Sequence, residues 1–168
     1  MISIKLISIL FLGISLAGYH AQPHLLSQQR LPPDLLITLE RPGCWRGCAD
    51  YRVTIAADGK VVFEGKENVR VKGTAQTQIS REKVLLLVEM IVKAKYFSLR
   101  DQYASKEDGC RTIGADFNGA IVSVVMNGRS KTIDHYFGCF RSGKTFPKVL
   151  IELEEKIDEI ANTDQWTE

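Results

Sequence analysis

Residues 120–136 read Ala120-Ile121-Val122-Ser123-Val124-Val125-Met126-Asn127-Gly128-Arg129-Ser130-Lys131-Thr132-Ile133-Asp134-His135-Tyr136. A β-branched run stops at Asn-Gly, the pair that most strongly favours a two-residue hairpin turn, because both residues tolerate positive φ. The chain then runs back. With Asn127-Gly128 at the centre, paired positions sum to 255, and Cys139 is expected across from Asp116 at the open end.

Other strands flank this hairpin. Leu35 to Arg41 begins fully apolar and then alternates, until Pro42-Gly43 breaks it. Tyr51, Val53 and Ile55 alternate with Arg52 and Thr54, the pattern of a half-buried strand. Asp58-Gly59 turns, and Lys60 to Gly65 returns. Val69 to Gln76 reads as a thin edge strand. Ser80 is placed to cap a helix through about Ala94, with Val84, Leu87, Val88 and Ile91 on one stripe. Leu85, Leu86 and Val92 widen that stripe and predict deep burial. Tyr96, Phe97 and Leu99 extend the core. Arg100 to Gly119 is polar, irregular and long for a compact domain, and Cys110 is placed to pin it.

After the hairpin, Arg141 to Thr145 leads to a last helix, with Thr145 as its cap and Pro147 in its first turn. Phe146, Val149, Leu150, Leu153, Ile157 and Ile160 form its stripe, and Trp166 is expected to fold back as a plug. The expected fold class is α+β: an antiparallel sheet of five or six strands with two helices packed on one face. The folded domain is expected over residues 35–168.

The chain has 168 residues, 45% hydrophobic and 25% charged. Those values suit one globular domain and exclude a disordered chain, a collagen-like fibre and a polytopic membrane protein. A net charge of +2 gives no electrostatic ground for nucleic-acid binding. Residues 1–21 read as a cleaved signal peptide, with Lys5 ahead of the twelve-residue apolar run Leu6–Ala17. That run is short against the about 20 residues of a membrane span, which counts against the rival reading, an uncleaved membrane anchor, and no stable membrane insertion is expected after cleavage. Tyr19 stands where lipidation of Leu16-Ala17-Gly18 would require Cys, so the chain is not a lipoprotein. Residues 22–34 read as a polar spacer ending in Pro32-Pro33. The expected location is the periplasm or the extracellular space. Arg41 to Arg111 carries fourteen basic and nine acidic residues, and Glu152 to Glu168 seven acidic and one basic. The acidic run, Glu152, Glu154, Glu155, Asp158 and Glu159, is read as a solvated helix face.

Four cysteines in an oxidising compartment suggest two disulfides, from three possible pairings. We favour Cys44–Cys48 and Cys110–Cys139, the second because Cys110 can fold back towards the open end of the hairpin. Two other readings of Cys44-x-x-x-Cys48 compete with a structural disulfide. A redox dithiol more often has two intervening residues at a helix N-terminus. A metal site lacks a second Cys/His pair at comparable spacing. A His135–Cys139 nucleophile pair is set against the disulfide reading of Cys139 and the opposite facing of Asp134 and His135. His135 itself is read as a surface or hairpin-end histidine. No phosphate-binding glycine motif occurs. No catalytic, metal or cofactor residue is therefore assigned; whether the protein is an enzyme stays open, with the non-catalytic reading preferred.

What remains is a candidate binding surface. Trp45, Arg46 and Tyr51 lie on or beside the Cys44–Cys48 ring, and Asp116, His135 and Tyr136 are expected to converge at the hairpin end. An aromatic and an arginine on a rigid loop suit a binding hot spot. The competing reading packs Trp45 over the end of the core. The functional expectation is a non-catalytic binding or interaction module for a protein or small ligand. The alternatives are a thiol-disulfide redox protein using Cys44 and Cys48, and an inhibitor of an extracytoplasmic enzyme. The sequence leaves the oligomeric state open.

Leu39-Glu40-Arg41-Pro42-Gly43-Cys44-Trp45-Arg46-Gly47-Cys48-Ala49-Asp50-Tyr51 resembles the signature of a bacterial secreted family, domain of unknown function 6438. Further matches are Asp58-Gly59-x-Val61-x-Phe63-x-Gly65, Phe97-Ser98-Leu99, Asn127-Gly128-Arg129-x-Lys131-Thr132, His135-Tyr136-x-Gly138 and Ile157-Asp158-x-Ile160. The resemblance spans about Leu36 to Trp166. It implies the fold and compartment and no defined activity. Two departures stand out. Ala49 replaces the family's usual Pro, and Ala115-Asp116-Phe117-Asn118 replaces a Thr-Asp-x-Pro loop, so only Asp116 carries over. The resemblance implies Cys44–Cys48 as a closed unit and Cys110–Cys139 as an added staple.

Overall fold

The computed structural model describes residues 30–140 and 148–168. The signal segment, the spacer up to residue 29, and Thr145, Phe146 and Pro147 lie outside them. The elements in chain order are β1 (Leu36–Arg41), β2 (Asp50–Ala56), β3 (Lys60–Glu67), β4 (Gly73–Gln78), α1 (Arg81–Lys93), a 3-10 turn at Tyr96–Ser98 and β5 (Gln102–Tyr103). Then come β6 (Thr112–Ile113), β7 (Gly119–Met126), β8 (Arg129–Tyr136), β9 (Cys139–Phe140), α2 (Lys148–Ala161) and α3 (Asp164–Thr167).

Among the described residues the main sheet has seven strands in the order β4-β3-β2-β1-β7-β8-β5, and β6 pairs with β9 in a separate ribbon. The main sheet is antiparallel except at its last edge, where β5 runs parallel to β8. The domain is thus α+β. The seventh strand is β5, two residues inside the long polar stretch, where composition carries no strand signal. The central hairpin keeps its expected register, from Met126↔Arg129 to Gly119↔Tyr136. Asn127 and Gly128 both take positive φ, 54° and 70°, as this tight turn requires. Asp34 braces the turn: its carboxylate accepts the Asn127 and Gly128 backbone N–H groups at 2.9 and 2.6 Å, which holds its pKa below the ordinary value.

The expected register ends at Tyr136. Ile113, and not Asp116, lies across from Cys139. Asp116 adopts a left-handed backbone at φ 61°, and residues 115–117 leave the pairing, while the Gly114 N–H still donates to the Gly138 carbonyl at 2.8 Å and the Phe137 N–H to the Asn118 carbonyl at 3.0 Å.

One face of the sheet carries Ile37, Leu39, Val53, Ile55, Val61, Phe63, Val122, Val124 and Ile133, all fully buried. Both main helices cover that face, Val84, Leu87 and Ile91 from α1 and Leu150, Leu153 and Ile157 from α2. Each such side chain contributes about 1.5–3 kcal/mol relative to exposure. α1 is less deeply sunk than its composition suggested: Leu86 is exposed and Val92 is 61% exposed. Both fall on the flank turned from the sheet, where helix geometry outweighs hydrophobicity. Trp166 is the expected plug, its ring stacked 4.8 Å from Phe63. Its carbonyl accepts the Val71 N–H at 3.0 Å, tying α3 to the β3–β4 loop.

Candidate functional site

The Cys44–Cys48 ring fills the loop between β1 and β2, and Cys110–Cys139 joins the long loop to β9. Trp45 projects from the ring and is 95% exposed, so it does not pack over the core. The ring is too small to fold its own side chains inward. Its shape is set from outside: the Trp45 backbone N–H donates to Asp116 Oδ1 at 2.7 Å, and Arg46 Nε lies 3.4 Å from Asp116 Oδ2. Asp116 thus links the ring to the hairpin's open end. Tyr136 supports that end: its hydroxyl donates to the Gly114 carbonyl at 2.7 Å and accepts the Phe117 N–H at 3.3 Å.

Three more large apolar side chains are exposed here, Ile113, Phe117 and Phe140. Phe117 and Phe140 meet edge to face at 5.3 Å. Gly114 lies against both rings, and a Cβ there would come within 2.6 Å of Phe117. Trp45, Arg46, Asp116 and Tyr136, four of the expected surface residues, therefore share one end of the molecule. Tyr51 and His135 do not lie on that surface. On β2 and β8 they occupy inward positions, in phase with Val53 and Ile133, and both are buried.

Their inward direction builds a second constellation. His135 Nδ1 lies 2.9 and 3.1 Å from the two oxygens of Glu154 on α2. Both side chains are almost fully buried, His135 at 2% and Glu154 at 1%. Burial raises the Glu154 carboxyl above its ordinary range, and the bond to His135 only partly opposes this. One turn along α2, Asp158 Oδ2 accepts Arg41 Nε and Nη2 at 3.0 and 2.8 Å, while Oδ1 accepts the Tyr51 hydroxyl at 2.7 Å. Burial followed by the Asp158 charge pushes the Tyr51 phenol up, so it stays a protonated donor. Burial alone would lower the Arg41 guanidinium, but the neighbouring carboxylate outweighs it and the net shift is upward.

The acidic run of α2 is therefore no uniform solvated face. Glu152, Glu155 and Glu159 are exposed, while Glu154 is buried and Asp158 is largely so. The signal for this was present. Glu154 stands four residues after Leu150 and three before Ile157, on the apolar stripe itself. The surface histidine expected at 135 is a core residue for the complementary reason, its even spacing from Ile133 on a strand with one buried face.

Arg41, Asn118, His135, Phe137, Ile151 and Glu154 line an open cavity of about 520 Å³ beside this constellation. Cys139 holds no thiol for a nucleophilic role, since its sulfur is bonded to Cys110. Among the described residues no group of three His, Cys, Asp or Glu side chains could hold a metal ion, and no helix is long and apolar enough to cross a membrane.

The model of a domain of unknown function, DUF6438, matches residues 35–161. The chain belongs to the DUF6438 family. In this DUF6438 chain the matched span begins at Leu35, just before β1, and ends at Ala161, the last residue of α2. It includes both disulfides and the Arg41–Tyr51–Asp158 and His135–Glu154 groups. Comparison with curated proteins finds no match.

Proposed function

We propose that this DUF6438 protein is an extracytoplasmic, non-catalytic interaction module whose docking surface is the Cys44–Cys48 ring with its apolar rim. The observation that carries this reading is Trp45, 95% exposed on a loop held by a disulfide and by Asp116. Arg46, Ile113, Phe117 and Phe140 extend the surface, an aromatic and arginine composition typical of interface hot spots. A rigid loop loses little entropy on binding, so the surface is preorganised. Two disulfides suit an oxidising compartment. An extracytoplasmic enzyme inhibited by this surface is one partner class it would fit.

Trp45→Ala is expected to change folding stability by less than about 0.5 kcal/mol, because the side chain makes little buried contact. The same change should abolish capture of the partner from an extracytoplasmic extract. Val92→Ala, an exposed apolar change on α1, should leave capture intact. Identical capture by wild type and Trp45→Ala would sink the proposal.

A specific contact supports a second reading, thiol–disulfide exchange. The Cys48 backbone N–H donates to Cys44 Sγ at 3.2 Å, a contact that would favour a thiolate there. Thiol alkylation followed by intact mass, across a series of glutathione buffers, separates the readings. On the interaction reading both bridges stay closed. Opening of Cys44–Cys48 at a mild potential while Cys110–Cys139 holds would move the function to the ring sulfurs.

A further inference from the structure

The cavity between β8 and the first turns of α2 is not used by the Trp45 surface. At about 520 Å³ it falls within the size range of small-molecule sites. Its charge selects the ligand. A guanidinium in the lining, Arg41, is already bound to Asp158 through two N–H groups, and its Cζ lies 5.5 Å from the centroid of the Phe137 ring. Arg41 and Asp158 thus neutralise each other. The second pair, His135–Glu154, is buried and hydrogen-bonded to itself. Glu155, by contrast, is exposed on the cavity wall. Among the described residues that line the cavity, the solvent-exposed charge is therefore a carboxylate. Phe137 and Ile151 supply apolar surface for a carbon stem, and Asn118 supplies an amide that can accept from an ammonium.

We propose that this cavity binds a small organic cation, a primary ammonium on an aliphatic stem, with the nitrogen towards Glu155 and the stem against Phe137 and Ile151. A free polyamine and a lysine side chain of another protein offer this same chemistry. Aromatic faces and a nearby carboxylate are the usual means of holding such a group in a partly desolvated site.

The test uses the oxidised protein and NMR titration, following the Asn118 side-chain amide and the His135 ring. Cadaverine represents the free polyamine, and Nα-acetyl-lysine methylamide the protein side chain. Glutarate, a dianion of similar length, is the control. One or both cations should produce saturable shifts at Asn118 and His135, and the tighter of the two names the source. Glutarate should produce none. Glu155→Gln keeps an exposed side chain of the same shape, so it should fold normally and weaken the cation by about threefold or more, the scale of a partly exposed charge pair. Three results would overturn the proposal: no saturable shift with either cation, equal shifts with glutarate, or unchanged affinity in Glu155→Gln.

Discussion

Asp158→Ala will destabilise the domain by about 3–5 kcal/mol, the usual cost of removing one partner from a buried ion pair. The argument rests on what the substitution leaves behind. The Arg41 side chain is 12% exposed and directs Nε and Nη2 at a single Asp158 oxygen. The Tyr51 hydroxyl donates to the other oxygen, and Thr163 Oγ1 donates to that oxygen as well at 3.1 Å. Alanine therefore strands a buried guanidinium and two hydroxyls at once, where the penalty for unmet hydrogen bonding is greatest. The joint replacement Arg41→Met with Asp158→Leu should recover the part of the loss that comes from the stranded guanidinium, because an apolar pair of similar volume needs no desolvated partner, while the Tyr51 and Thr163 hydroxyls still lack their acceptor. Urea denaturation checks both. The midpoint should fall in Asp158→Ala with the slope unchanged, and should return towards wild type in the double variant. A loss below about 1 kcal/mol in Asp158→Ala would mean that water reaches Arg41 and the cluster is a surface feature.

The second large effect is removal of the long disulfide. Cys110→Ala with Cys139→Ala should cost about 3.5 kcal/mol, and Cys44→Ala with Cys48→Ala about 2 kcal/mol, from the loop-closure entropy returned to the unfolded chain. The separations are 29 and 4 residues. Native contacts point in the same direction. Cys110 and Cys139 are both buried in the core cluster, whereas Cys44 and Cys48 are half-buried at the rim. Cys110 also ends a tight loop in which Asp108 accepts the Ala104 and Ser105 backbone N–H groups, and the Arg111 N–H reaches the Phe140 carbonyl at 2.8 Å. Without the bridge, that loop and the β6–β9 ribbon should lose hydrogen-exchange protection first. Equal midpoint shifts for the two paired variants would show that the long loop is held by its contacts and gains little from the bridge.

The two effects divide the molecule as its sequence does. Local chemistry wrote the strands plainly. Asn127-Gly128 determined the central turn, and its register ran unbroken to Gly119↔Tyr136. Period-two alternation marked β2 and β3, and the period of a helix marked α1 and α2. The two disulfides are the ones favoured among three possible pairings, although Cys139 faces Ile113 and not Asp116. The candidate surface was half legible. Trp45 and Arg46 were named from the ring, but the sequence left Trp45 open between exposure and packing over the core, and the structure places it in solvent. Ile113, Phe117 and Phe140 gave no sign, since an exposed aromatic and a core aromatic are the same letter until the chain around them is placed.

The partners of the buried polar groups were settled by tertiary structure alone. Glu154 reads as one more carboxylate in an acidic helix, and His135 as the end of a hairpin. Only the packing of α2 across β1, β2 and β8 brings 135 to 154 and 41 and 51 to 158, across as many as 117 residues of chain. By itself the sequence determined the periodicities, the turns and the family, because each depends on neighbours along the chain. Which partner a buried charge faces depends on which elements meet. No local preference carries that information, because the cost of desolvating a charge is set by the partner on the opposite element.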